Sequence, residues 1–184
     1  MSLIITKIIF MKTLLNVGCG YSNKSQLKGF DNNNWNEIRF DIDEDVNPDI
    51  IDKAAKVFGS QAVVVNIEAK RWDSNWECYT DCGRIQSNKD VLHWVKEIEE
   101  RGAGEILLQS IDEDGRCRGF DIELVSKVVS LVKIPVVASS GAGSLKDIKT
   151  LIEAANPSGV AIASLLHYDR TTIQEIKKYL NNKV

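Results

Sequence analysis

Acids and small residues recur at the ends of short apolar runs in this 184-residue chain. In Glu105-Ile-Leu-Leu-Gln-Ser-Ile-Asp-Glu-Asp-Gly115 the run Ile106-Leu107-Leu108 gives way to a polar tip carrying Asp112, Asp114 and Gly115. In Ala62-Val-Val-Val-Asn-Ile-Glu-Ala-Lys70 the apolar run ends near Glu68. Carboxylates at the C-terminal tips of buried strands are how α/β enzymes bring acids into a cleft, where one gives a proton and another takes it. Ile134-Pro-Val-Val-Ala-Ser-Ser-Gly-Ala-Gly143 and Gly159-Val-Ala-Ile-Ala-Ser-Leu-Leu-His167 end instead on small and polar residues. Small residues let backbone N–H groups close on an anion such as phosphate. Each feature also has a plainer reading. Asp112 and Asp114 suit a turn closed by Gly115, Glu68 suits an ion pair with Lys70 or Arg71, and Ser139 to Gly143 suits a simple loop.

Strand–helix units must position these tips. Asp90 can cap a helix running through Arg101, with Val91, Leu92, Trp94, Val95 and Ile98 on one apolar stripe. Gly102 and Gly104 end it. The spacing of Ile122, Leu124, Val125, Val128 and Val129 predicts a second helix over 120–132. Ser144 can cap a third, with Leu145, Ile148, Leu151 and Ile152 inward, and Thr171 or Thr172 a fourth, with Ile173, Ile176, Tyr179 and Leu180 inward. Strand then helix thus repeats four times from Gln61 onward. Right-handed crossovers make such an array a parallel sheet with helices outside it.

Upstream, residues 12–20 read as a strand entering a glycine turn at Gly18 and Gly20, residues 21–35 as polar loop, and Glu37 to Asp43 as a second strand ending in acids. A glycine turn followed by an acid about 20 residues on is the layout of a nucleotide-type site. The stretch from Leu3 to Met11 lacks a basic start and a small-residue cleavage site, so it reads as an extra strand or added residues, not a signal peptide. A net charge of −3 gives no basic footprint for nucleic acid. No apolar run reaches the roughly 18–20 residues of a membrane span. Four cysteines and two histidines lack zinc-site spacing and fit the reduced thiols of a cytoplasmic protein, so no metal or cofactor is expected. His167 reads as a surface or capping residue, and Trp72 and Trp76 as cover for a hydrophobic patch.

From Asn47 the chain resembles the second half of the cyclase subunit of imidazole glycerol phosphate synthase, the histidine-pathway β/α barrel. The matching stretches are Phe58-Gly-Ser-Gln-Ala-Val-Val-Val65, Ala69-Lys-Arg71, Arg101 to Gly115, Gly119-Phe-Asp121, Ala138-Ser-Ser-Gly-Ala-Gly143 and Ala163-Ser-Leu-Leu-His167. Relatives in surface-polysaccharide gene sets share the pattern, including Trp76-Glu-Cys-Tyr79. The resemblance implies an α/β fold, half of a TIM (β/α)8 barrel with four βα units and parallel strands. It implies ammonia-dependent cleavage and ring closure of a phosphorylated substrate, with a glutaminase subunit as partner and a phosphorylated sugar or nucleotide-like molecule as ligand. The second-half catalytic aspartate falls on Glu68, whose extra methylene moves the carboxylate by about 1.5 Å, a shift that can cost much in rate. Asp114 falls on a secondary acid. The phosphate site falls on Gly115, Ser139, Ser140, Gly141, Ala163 and Ser164, with Ser140 where the family usually has glycine.

Leu14-Leu-Asn-Val-Gly-Cys-Gly20 with Phe40-Asp-Ile-Asp43 resembles the opening of a class I S-adenosylmethionine-dependent methyltransferase, with departures at Asn16 and Ser22. The two resemblances meet at Val46 to Ile50 and divide the chain into residues 1–46, an extra strand–loop–strand segment, and residues 47–184, the half-barrel: an apparent chimera. A half-barrel would leave Val63, Val65, Leu107, Val137 and Ile162 without cover, so a homo-oligomer is expected. It would also lack the first-half aspartate, so catalysis by this chain alone is expected to be incomplete. The alternatives are a non-enzymatic association module or inactive chimera, and a methyltransferase remnant.

Overall fold

The computed structural model describes residues 13–17, 36–40 and 49–181. The glycine turn at Gly18 and Gly20, Cys19, the acids Asp41 and Asp43 and the leading apolar stretch lie outside the described residues. Strand β1 (Thr13–Val17) pairs in parallel with β2 (Asn36–Phe40), Thr13 opposite Asn36 and Val17 opposite Phe40.

Helix α1 (Asp49–Phe58) leads through a 3-10 turn (Ser60–Ala62) into a six-stranded sheet. Its strands are β3 (Val64–Trp72), β4 (Asn75–Thr80), β5 (Ile85–Asp90), β6 (Glu105–Ser110), β7 (Val136–Ser139) and β8 (Gly159–Val160), in the order β5-β4-β3-β6-β7-β8. β3, β6, β7 and β8 are parallel neighbours, and β4 and β5 are antiparallel. Helices α2 (Val91–Glu100), α3 (Ile122–Leu131) and α4 (Leu145–Ala155) separate β5, β6, β7 and β8, and α5 (Ser164–His167) and α6 (Ile173–Asn181) follow β8. The fold is therefore α/β with a mostly parallel sheet, in the strand order that right-handed strand–helix repeats require.

The helices begin where the sequence supplies caps. Asp90 Oδ1 accepts from the His93 amide at 2.8 Å, Asp121 Oδ1 from Leu124 at 3.0 Å and Ser144 Oγ from Asp147 at 3.2 Å. Thr172 and Glu175 cap α6 reciprocally: the Glu175 amide donates to Thr172 Oγ1 at 3.2 Å, and the Thr172 amide to Glu175 Oε2 at 2.9 Å. Each such cap contributes about 1 kcal/mol.

Strand alternation sorts the core. Val63, Val65, Ile67 and Ala69 share one face with Ile106, Leu108, Val136 and Ala138, buried in a cluster with Val91, Val95, Ile98, Leu124, Val128, Ile148 and Leu151 of the helices. This corrects the expectation that Val63 and Val65 face the uncovered side: they are 2% and 3% exposed. The residues that do alternate to the other face, among them Leu107 and Val137, are half-buried, as is Ile162 beyond β8.

The β4–β5 hairpin was not expected from the sequence. Its Trp76, Cys78 and Thr80 point to one side and are buried. Trp76 donates from Nε1 to Asp121 Oδ2 at 2.8 Å, and its ring lies 4.4 Å from the Arg71 guanidinium and 4.8 Å from the Lys127 ammonium. Arg71 pairs with Glu123 at 2.9 Å and Asp121 at 3.4 Å, and Lys127 with Glu123 at 2.9 Å. The hairpin is thereby clamped to the start of α3. Trp72, expected to act with Trp76 as cover, is 59% exposed.

Candidate functional site

The C-terminal ends of β6 and β7 and the loop after β8 open onto one cleft. The segment after β7 contributes Ser139, Ser140, Gly141 and Ala142 to its lining. The segment after β8 contributes Ala161 to Ser164, and the loop after β6 contributes Asp114, Gly115 and Cys117. Every residue to which sequence reasoning gives a phosphate-binding role thus lines the same cleft, together with Asp114 at its exposed edge.

The backbone explains why small residues stand here. Gly141 takes a φ of 103°, and a β-carbon on it would run into the carbonyl oxygen of Gly119. The Gly119 amide donates to the Gly141 carbonyl at 2.9 Å, which welds the loop after β7 to the loop after β6. The amides of Gly141, Ala163 and Ser164 find no acceptor among the described residues. Unoccupied N–H groups, with serine hydroxyls beside them, are suited to the oxygens of an anion. Among the described residues, no lysine, arginine or histidine lines the cleft.

Glu68 is placed differently. It stands on β3 opposite Gln109 of β6, and Gln109 stands opposite Ser139 of β7. Alternation puts the three on one face in one row, which ends at the cleft. Glu68 is not among the cleft-lining residues. Its Oε2 accepts from the Gly83 amide at 2.8 Å, in the turn between β4 and β5. Asp112 is not among the lining residues either: its Oδ2 accepts from the Arg71 amide at 2.7 Å and ties the loop after β6 to the end of β3. The structure therefore brings Asp114 and the anion-type residues together and gives Glu68 and Asp112 hydrogen bonds to backbone amides. His167 ends α5 exposed, its ring edge-on to Tyr168 at 4.9 Å.

The model of the family described as histidine biosynthesis protein matches residues 4–172. The chain belongs to this family. It is 39% identical over 176 residues to imidazole glycerol phosphate synthase subunit HisF of Prochlorococcus marinus strain MIT 9215, covering 94% of this chain and 69% of that protein. It is 46% identical over 140 residues to the subunit of the same name from strain AS9601, covering 74% and 55% of the two chains. With that of Dehalococcoides mccartyi strain BAV1 the identity is 44% over 137 residues, covering 74% and 54%. The chain thus spans from about half to about two thirds of the length of these relatives. The family match takes in most of residues 1–46, the segment whose motifs resemble a methyltransferase opening.

Within this histidine-biosynthesis family member, sequence reasoning missed Cys117, which lines the cleft with a left-handed φ of 53°. Its position two residues past Gly115, in the same loop, was the available signal. It also missed the role of the β4–β5 turn, which the alternation of Trp76, Cys78 and Thr80 ahead of Asp81-Cys82-Gly83 could have shown. Burial pushes the Cys78 thiol up to about 12, so it is an inert core residue at neutral pH. Cys82, in the turn, is exposed. Among the described residues no group of His, Cys, Asp and Glu side chains is disposed to hold a metal ion, and no helix is long and apolar enough to cross a membrane.

Proposed function

We propose that this chain is a cyclase-type histidine-biosynthesis half-barrel, with an oxyanion site formed by Gly115, Ser139, Ser140, Gly141, Ala163 and Ser164. The observation that carries this reading is the convergence of these residues on one cleft at the tips of parallel strands. The ligand is a phosphorylated sugar or nucleotide-like molecule, with phosphate oxygens on the backbone amides and serine hydroxyls. Asp114, at the cleft edge, exchanges a proton with it. Glu68 occupies the place of a second acid, one strand further along the row through Gln109. Its tie to Gly83 sets the carboxylate against the hairpin turn, so the acid pair is incomplete and the chain alone turns over negligibly. In the cytoplasm a second copy closes the open sheet face as a homodimer, and a glutaminase subunit supplies ammonia.

Two measurements test this. Titration with inorganic phosphate, followed by amide NMR, is expected to shift Gly141, Ala163 and Ser164; unmoved resonances overturn the anion site. An ammonia-dependent assay on the purified chain is expected to show no turnover above background, and robust turnover overturns the incomplete half-barrel. Native mass separates a defined dimer from a non-enzymatic association module, which would give larger or mixed assemblies.

A second reading applies to residues 1–46 as a separate methyltransferase-like segment. The parallel pairing of β1 with β2 favours it, since a nucleotide-type opening needs that arrangement. The family match over residues 4–172 favours a barrel-family origin for the same segment. Calorimetry with S-adenosylmethionine decides between them, and absence of heat removes the methyltransferase reading.

A further inference from the structure

We infer that Ser140 is an affinity-determining donor of the anion cleft, its hydroxyl present for the ligand and not for the loop. This rests on the anion-site reading above and deepens it by naming the side chain that sets the affinity. Ser140 has a φ of 76° and precedes Gly141 at 103°, so two left-handed residues follow one another. A residue with a β-carbon is disfavoured in that region and glycine is not. The weld between Gly119 and Gly141 fixes the path of the loop next to Ser140. The turn itself thus calls for glycine at position 140, and what serine adds is a hydroxyl.

That hydroxyl has no partner among the described residues. Ser140 is 9% exposed, and its Oγ is buried with no hydrogen bond. A buried hydroxyl left unbonded is unfavourable, as is the left-handed serine backbone. Both penalties fall on one residue, and that residue lines the cleft. Because the described lining residues include no cationic side chain, their side-chain hydrogen-bond donors are the serine hydroxyls and the Cys117 thiol, a weak donor. Rotation about χ1 moves Oγ between staggered positions without moving the loop. A tetrahedral oxyanion, as free phosphate or a phosphate monoester, would supply the missing acceptor and offset both penalties on binding.

The test is calorimetric titration of the full chain with inorganic phosphate, using the natural sequence, Ser140→Ala and Ser140→Gly, beside thermal melts of each without phosphate. Ser140→Ala keeps the β-carbon and backbone and removes only the hydroxyl. It is expected to bind phosphate about tenfold more weakly while melting no lower than the natural chain. Ser140→Gly is expected to bind as weakly and to melt higher, since the left-handed strain is relieved. Glycerol 3-phosphate in place of phosphate separates the two ligand sources: the same loss in Ser140→Ala with either supports the inference, and the tighter of the two names the source. If Ser140→Ala binds within about twofold of the natural chain, this inference falls and the cleft reading stands. If the natural chain gives no heat with either ligand, both fall.

Discussion

Alternate residues of β3, β6 and β7 go to opposite sides of one sheet, and the two sides are filled on different terms. Toward the helices stand Val65, Ile67, Ile106, Leu108, Val136 and Ala138, all buried. On the other side stand Asn66, Glu68, Leu107, Gln109, Val137 and Ser139, all half-buried. The covered face is apolar until Ser110 at the end of β6, and burying a Val, Leu or Ile side chain is worth about 1.5–3 kcal/mol. The other face carries a polar row from Glu68 through Gln109 to Ser139, with the cleft at its end. Even below that row, Asn66 holds a buried side-chain oxygen with no hydrogen bond. The lesson is that a run such as Val63 to Lys70 serves stability and site chemistry at once, on alternate residues.

The most direct attempt to break that contrast is a pair of truncations one residue apart. Leu108→Ala is expected to destabilise the chain by about 2–5 kcal/mol in urea unfolding, whereas Leu107→Ala should stay below about 1.5 kcal/mol. Equal losses would mean that both faces are equally packed. Gly141→Ala tests the cleft side: the collision with Gly119 and the left-handed φ should together cost about 2 kcal/mol and abolish phosphate binding. Glu68→Ala should cost about 1.5 kcal/mol and speed hydrogen exchange at the Gly83 amide. Protection of that amide unchanged in the variant would remove Glu68 from the turn.

Two effects depend on pH. The Cys78 thiol is raised from 9.0 to about 12 by burial, so its contribution is fully present below pH 9 and is lost as pH climbs through about 12. The unfolding midpoint of the natural chain should therefore fall faster across that interval than that of Cys78→Ala. At neutral pH an alkylating reagent should modify Cys82 and spare Cys78. The smallest effect is at Glu123, whose carboxyl is held below its ordinary 4.5 by Lys127 first and Arg71 second. Its contribution is present above that value and is lost as pH falls through the depressed one. Because Glu123 is exposed, Glu123→Gln should flatten the acid limb of the stability profile only slightly.

The strand–helix array was legible because its signals are local. Asp90, Ser144 and Thr172 mark helix starts by side-chain chemistry alone, and the 3.6-residue stripes of α2 and α4 need no partner to be seen. The residues that line the cleft were legible as small residues after apolar runs. Which valines face the helices was not legible, because a continuous apolar run such as Val63-Val64-Val65 has no period that fixes its register. The hairpin was hidden for a related reason. Its inward residues, Trp76, Cys78 and Thr80, are of mixed chemistry, and Trp76 is buried by nearby Arg71 together with Asp121 and Lys127, which lie far from it in sequence.

Asp121 performs three tasks with one carboxylate. Oδ1 caps α3 at the Leu124 amide and meets Arg71, while Oδ2 receives the Trp76 indole. Loss of this one carboxylate would therefore remove the α3 cap and the hairpin's indole bond together. The segment between β6 and α3, which bears Asp114, Gly115 and Cys117, thus ends on a carboxylate that also holds a tryptophan 45 residues upstream.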